Sequence, residues 1–267
     1  MKLHDQHIHT SYSRDSKASI DEYYRIASEM GCKYFVTTDH LEFMSVYDNQ
    51  DWTVDYVSMK KELSELREKY PTVTPLLGVE IGYRKDHLED MKRVINSESF
   101  DLINMSIHDN GKYDYYMQES FKDLGTTQML DIYFNNIIDA LNTFHDFDVL
   151  SHFDYGFKTA YVVNSNLRIN DYEVIVRQIF KKVIALNKVL EINTKVQNIL
   201  GVEHLKTWLT WYLEEGGTKL CLSSDAHTEK AFDNYYENQS EYMSIIKSIG
   251  FKDLRYFINR KEYIYKI

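Results

Sequence analysis

The sequence predicts an α/β fold, a TIM-like barrel of seven β/α units with its active site at the rim where the strand C-termini converge. Three observations predict it. Short apolar runs alternate with helical stretches along the chain, a pattern that favours parallel strands covered by helices. The length of 267 residues is close to the roughly 250 that one such barrel uses. An open doubly wound sheet is the alternative, but the glycine-rich phosphate loop expected of it is missing. No linker, low-complexity tract or long charge block interrupts the pattern, so residues 1–267 read as a single domain.

The first strand is expected over residues 3–9. Ser19, with Glu22 three residues on, then reads as a capping box, and Gly31 fits the left-handed position that ends a helix. A second strand over 34–40 precedes a helix over about 54–70, which stops before Pro71. The strand at 74–83 is followed by a short helix capped by Asp86 or Glu89. After the strand at 100–108, a helix near 126–144 places Leu130, Phe134, Ile137, Ile138 and Leu141 on one face. Strands at 147–154, 189–194 and 219–227 alternate with helices near 171–187, 203–215 and 239–249. Residues 256–265 read as a final strand or a tail.

With 41 acidic and 31 basic residues, the formal net charge is −10. That excludes a general nucleic-acid binder, which needs a basic face. No apolar run approaches the roughly 20 residues that span a bilayer, so no membrane partner is expected. Cys32 and Cys221 lie far apart, which rules out a disulfide framework and fits a cytoplasmic location, as does the lack of a charged-then-apolar leader. An acidic field also repels an anionic substrate. Nothing in the sequence sets the oligomeric state.

The histidines are the informative residues. His7, His9, His40, His108, His152 and His227 each close a predicted strand, while Glu80 and Asp225 lie in the last part of two of them. On one rim these residues would meet. His7 and His9, like Asp225 and His227, are two apart, so on a strand each pair projects to one side. A buried cluster of imidazoles is costly if charged, and divalent cations remove that cost by taking neutral imidazoles and ionised carboxylates as ligands. Glu80, inside the apolar run 76–82, needs a partner or a metal, and Asp225 makes the same demand. Taken singly, His108 or His152 reads first as a hydrogen-bonded core histidine. His4, His87, His145 and His204 read as structural or solvated.

The motifs HIHTSYSRD (7–15), TTDH (37–40), GVE (78–80), the strand end at His108, SHFD (151–154) and SSDAH (223–227) together resemble the polymerase-and-histidinol-phosphatase (PHP) family. Each is weak alone, but six in order on successive strands are specific. The stand-alone length and LEINT (190–194) are similar to the family's L-histidinol-phosphatase branch. The resemblance implies a distorted barrel of seven β/α units and three divalent metal ions, Zn, Mn or Fe. It implies that His7, His9 and Asp225 hold one ion, that His108 and His152 hold a second, and that Glu80 bridges the two. Asp15, His40 and His227 would hold the third, with Asp15 standing where some members carry histidine. Asp39 either orients an imidazole from behind or makes an ordinary loop hydrogen bond.

The implied activity is hydrolysis of L-histidinol phosphate, a small-molecule phosphate ester. Monoester hydrolysis calls for accelerations up to about 10²¹, which suits attack by a hydroxide shared between metals while the others clamp the phosphoryl oxygens. Asp225 and His227 are general-acid candidates by position. Glu42 could pair with the substrate amine, and Lys158 and Lys195 could meet the phosphate, each being equally a solvated charge. Tyr115, with Tyr113 and Tyr116, either stacks on an imidazole or is an exposed loop tyrosine. The competing functions are a phosphodiesterase or nuclease of the same family and a non-catalytic metal-binding regulator. Three divalent ions would add about +6 to the −3 of Glu80, Asp225 and Asp15, so the rim would be positive although the surface is acidic.

Overall fold

The computed structural model describes residues 2–267. Elements follow the predicted order with shorter strands. They run α1 (Ile20–Glu29), β1 (Tyr34–Thr37), β2 (His40–Ser45), β3 (Gln50–Trp52), α2 (Tyr56–Lys69), β4 (Thr74–Gly82), α3 (Leu88–Ser97), β5 (Leu102–Ser106), α4 (Gln118–Leu124) and α5 (Thr126–Thr143). The chain continues with β6 (Val149–Leu150), α6 (Tyr155–Val163), α7 (Glu173–Ala185), β7 (Val189–Asn193), α8 (Thr194–Leu200), α9 (Val202–Glu214), β8 (Leu220–Ser223), α10 (Glu229–Ile249), β9 (Asp253–Ile258) and β10 (Lys261–Lys266).

The main sheet has the order β3-β2-β4-β5-β6-β7-β8, with β1 also paired to β4. All its ladders are parallel except β2–β3. The predicted closed barrel is corrected in one respect: the hydrogen-bonded sheet does not close. Residues 3–9 form no ladder strand. They lie in the gap between the sheet's two ends and touch both through isolated bonds. Thr38 N donates to Ile8 O (3.1 Å), while Asp225 N donates to His7 O and His9 N to Ala226 O, both at 2.8 Å. Side chains take the groups a ladder would pair. Thr38 Oγ1 accepts from Ile8 N (2.8 Å), and Asp5 Oδ1 accepts from His7 N (3.1 Å) and Ser224 N (3.0 Å).

The predicted strand at 34–40 is two strands broken at Thr38–Asp39. β1 pairs with Thr74–Leu77 and β2 with Glu80–Ile81, so both lie along β4. β2 then turns back as a hairpin with β3, which the apolar pattern did not reveal. The C-terminal segment is also a hairpin, β9–β10, and it caps the lower end of the sheet. There Phe257 completes an apolar layer with Val36, Leu76, Leu102, Val149, Val189 and Cys221, one residue from each parallel strand except β2. Cys32 and Cys221 are buried free thiols.

Helix faces behave as patterned. Leu130, Phe134, Ile137 and Leu141 of α5 are buried, with Ile138 partly so. Ser19 caps α1 by accepting from Glu22 N (3.4 Å), but the reciprocal half of the box is absent. Glu22 pairs with Arg25 instead, and Glu229 Oε1 takes Ser19 N at 2.7 Å. Asp86 pairs with Arg84 rather than capping α3. α4 and α6 have no side-chain cap, α8 is capped by Asn193, whose Oδ1 accepts from Val196 N (3.2 Å), and α10 begins ten residues before the predicted 239. No helix among the described residues is long and apolar enough to cross a membrane.

Candidate metal centre and active-site cavity

Glu80 lies near the C-terminal end of β4 and is fully buried. Its Oε1 lies 3.2 Å from His7 Nε2, 2.9 Å from His152 Nε2 and 3.4 Å from His108 Nε2, and accepts from Ser106 Oγ. Its Oε2 lies 3.3 Å from His9 Nε2 and 2.9 Å from His40 Nδ1. Around this carboxylate the fold gathers every expected ligand side chain: His7, His9, Asp15, His40, Glu80, His108, His152, Asp225 and His227.

Strand ends place them, though less regularly than predicted. His40 opens β2 rather than closing a strand. His108 and His152 each follow a strand end by two residues, and Asp225 and His227 lie beyond β8. Asp225 has a left-handed backbone (φ 55°), which short polar side chains tolerate. It turns the loop so that its Oδ1 lies 3.3 Å from His9 Nε2.

Donor spacings bear on whether these residues suit metal ions. Two ligands about 2.1 Å from one ion lie about 3.4 Å apart at tetrahedral angles and about 3.0 Å apart at octahedral angles. His7 Nε2 and His9 Nε2 are 3.1 Å apart. Asp15 Oδ2 is 2.9 Å from His227 Nε2 and 3.4 Å from His40 Nε2. His40 Nδ1 and Glu80 Oε2, although 2.9 Å apart, are buried with no hydrogen-bond partner. Unpaired lone pairs converging at these spacings fit cations. The donors fall into overlapping sets: His7, His9 and Asp225; His9, Asp15, His40 and His227; His7, Glu80 and His152; and His40, Glu80 and His108. His40 thus faces both Glu80 and Asp15.

The electrostatics couple the cluster tightly. Burial alone would raise the Glu80 carboxyl, but the imidazoles of His7, His108 and His40 outweigh it and hold it well below the usual carboxylate range. Asp225 is likewise held down, against burial, by Lys195, His9 and His227. Burial and the neighbouring His40 and His227 push His9 well below the ordinary imidazole value. Both carboxylates are therefore ionised and His9 neutral, whereas Glu80, against burial, raises His7 and His40 well above the ordinary imidazole value and His108 to about 10, so those rings hold the cluster's protons where no cation takes their place.

Groups behind the ligands fix their tautomers. Glu191 Oε1 accepts from His7 Nδ1 (2.8 Å), and its Oε2 accepts from His152 N (2.8 Å). Glu42 Oε1 accepts from His108 Nδ1 (2.6 Å), while His227 Nδ1 lies between Asp225 O (2.9 Å) and the Lys195 ammonium (3.2 Å). In each case Nε2 is left facing inward. The sequence reading missed Glu191, although a glutamate inside an apolar strand was the same signal that singled out Glu80.

The centre opens into a cavity of about 700 Å³. Arg14, Trp52, Asp114, Tyr116, Tyr155 and Lys195 are among its walls. Lys195 Nζ lies 3.3 Å from Asp225 Oδ1 and 3.2 Å from His227 Nδ1. Arg14 Nε lies 2.7 Å from Asp48 Oδ2, whose carboxylate also accepts from Trp52 Nε1 at 3.2 Å. Trp52 belongs to the unforeseen hairpin. That wall is pinned by buried Arg84, which donates from Nη1 to Met44 O (2.9 Å) and Asp109 Oδ1 (3.0 Å). Met44 itself is left-handed at φ 47°.

Other expected contacts are revised. Glu42 does line the cavity, but it is buried at its base with Oε1 accepting from His108 Nδ1. Tyr115 is fully buried against Tyr133 at 4.8 Å, and its neighbour Tyr116 reaches the cavity instead. Asp39 touches no imidazole. It sits in the β1–β2 break and accepts from Thr10 N and Thr10 Oγ1, which tethers the loop after His9.

Lys158 is not among the cavity walls. It is buried in the first turn of α6 with Nζ 3.9 Å from the Tyr155 ring centre. Burial and then Lys195 push its ammonium down to about 8. Below pH 8 the folded state buries a charge that the unfolded chain solvates. The penalty fades as pH rises through the ordinary 10.5, where both states lose the proton. Lys158→Met is therefore expected to raise stability at pH 7 by on the order of 2 kcal/mol. Urea melts at pH 7 and pH 10 check this, since the gain must shrink at the higher pH.

Comparison with known proteins places these features in context. Residues 5–195 match the model of the PHP domain. A protein of Clostridium acetobutylicum described as a probable histidinol-phosphatase is 28% identical over 238 residues, covering 88% of this chain and 90% of that one. The histidinol-phosphatase of Lactococcus lactis subsp. lactis is 22% identical, covering 98% of this chain and 96% of its own. A crystal structure of histidinol phosphate phosphatase from that organism, complexed with zinc, L-histidinol and phosphate, superposes with a TM-score of 0.80 at 19% identity, covering 98% of this chain and 99% of that one.

Proposed function

Because the chain belongs to the PHP domain family, we propose that it is a metal-dependent phosphomonoesterase that hydrolyses L-histidinol phosphate to L-histidinol and phosphate. The observation that carries this reading is the set of imidazole and carboxylate donors around Glu80, spaced as ligands of shared cations and opening into the cavity, with His40 Nδ1 and Glu80 Oε2 left without a hydrogen-bond partner. The relatives' described activity and the ligands of the Lactococcus structure supply the substrate. We read the architecture as a distorted (β/α)7 barrel whose seam is filled by residues 2–9.

His7, His9 and Asp225 would hold one divalent ion, His108 and His152 a second, with Glu80 between them, and Asp15, His40 and His227 a third. When bound, such ions acidify a water and offset charge on the phosphoryl oxygens. The chain's own residues do the rest. Arg14 and Lys195 bring cationic groups to the cavity beside Asp15 and Asp225, where the phosphate would enter. Trp52, Tyr116 and Tyr155 offer ring faces for an imidazole, and Asp114 offers a carboxylate for the amine. Asp225 is one candidate by position for the leaving-group proton, and His227 or a water in the cavity is another.

The test is phosphate release from L-histidinol phosphate with added Zn, Mn or Fe, before and after chelation, against a panel of sugar phosphates and nucleotides. Release should require metal and favour histidinol phosphate. Equal rates on unrelated monoesters would reject the substrate, and bound metal without hydrolysis would reject the enzyme.

A further inference from the structure

The strongest feature outside the ligand set is the pairing of Glu42 with Gly82. Glu42 leaves β2 two residues after His40 and is 3% exposed. Its Oε1 accepts from His108 Nδ1 at 2.6 Å and lies 3.4 Å from His40 Nδ1. Gly82, at the end of the neighbouring β4, has ordinary strand geometry, so no unusual backbone angle calls for glycine there. What calls for it is space: a Cβ at position 82 would overlap the Glu42 carboxylate itself.

We propose that Glu42 is a positioning residue of the metal centre, seated by the missing side chain of Gly82, which fixes His108 with Nδ1 protonated and Nε2 turned to the ions. This rests on the metal-dependent reading above. A neutral imidazole carries its one proton on either nitrogen. In the wrong tautomer, Nε2 would present a hydrogen to the ion instead of a lone pair. The carboxylate on Nδ1 selects the productive tautomer, holds the ring plane and makes the inward nitrogen more basic. Because Glu42 also approaches His40, it sits between ligands expected to serve different ions.

The test measures metal affinity, which needs no substrate. Apo-protein is titrated with Zn and with Mn against a competing chelator. Glu42→Ala is expected to weaken the affinity of at least one ion by about 10- to 100-fold. Glu42→Gln should keep most of it, because its amide oxygen still accepts from Nδ1. Gly82→Ala, which displaces the carboxylate, should reproduce the Glu42→Ala loss. The double variant should be no worse than Glu42→Ala alone, since the alanine at 82 then has nothing to displace. Additive losses, or a Glu42→Ala protein that binds both metals like the parent, overturn the proposal. If Gly82→Ala does not fold, the comparison of Glu42→Ala with Glu42→Gln decides. Failure of the parent protein to bind metal would overturn the metal-dependent reading instead. Metal binding without turnover of L-histidinol phosphate would overturn only the assigned activity.

Discussion

Glu80→Gln is expected to lower turnover by about 10³-fold or more, since loss of one preorganised electrostatic group commonly costs about 10²- to 10³-fold and this residue serves several partners at once. Glu80 is the one carboxylate within 3.4 Å of His7, His9, His40, His108 and His152. Gln keeps the shape but removes the charge and turns one oxygen into a donor. The imidazoles lose their shared anion, and ions bound as proposed would lose a common ligand. Turnover with excess metal, together with elemental analysis, checks this. A Gln variant with full metal content and more than about a tenth of parental turnover would show that Glu80 is not central to the chemistry.

Arg84→Met should be the most damaging change to the fold that leaves every ligand in place. The guanidinium is 6% exposed and Asp109 is 3% exposed. Asp109 Oδ1 also accepts from Gly111 N (2.8 Å), and its Oδ2 accepts from Val46 N (3.2 Å). Removing one partner of a buried pair leaves the other charge uncompensated, at a cost of about 3–5 kcal/mol. The left-handed turn at Met44 loses its carbonyl partner as well. A fall in urea midpoint at unchanged slope would register the loss. Arg84→Met combined with Asp109→Asn should recover part of it, because Asn removes the stranded charge and its one amide oxygen still accepts from Gly111 N or Val46 N, though not from both. A single variant within about 0.5 kcal/mol of the parent would remove Arg84 from the stability argument.

Much of this centre was legible in the sequence because its residues contradict their surroundings. Glu80 sits among Leu77, Val79 and Ile81, and a carboxylate there must be answered by a cation. His7 and His9 stood out by their spacing, and Asp225 for the same reasons as Glu80. Less visible was anything that depends on contact between distant segments. Glu42 reads as one more acidic residue near a rim, and only the β2–β4 register shows that it lies against Gly82. Arg84 is indistinguishable from a surface arginine until β2 and the loop at Asp109 are both in place. The break at Thr38–Asp39 was hidden because the apolar residues Tyr34–Val36 lead straight into the polar TTDH segment, which reads as the end of one strand. Trp52 was missed with the hairpin that carries it, since a three-residue strand leaves almost no periodic signal.

The segment 2–9 has a further consequence, for the order in which the molecule is assembled. On the ribosome it emerges ahead of everything it binds, yet its partners at Asp225 and Ala226 are made more than two hundred residues later. Until β8 exists, His7 and His9 have a wall on one side only. Such distant pairing is slow to form because the closure entropy comes before the reward. Metal captured early would meet at most a partial ligand set. The site is therefore complete only once β8 is made, and any ion held jointly by His7, His9 and Asp225 would act as a clasp between the first residues and the far edge of the sheet.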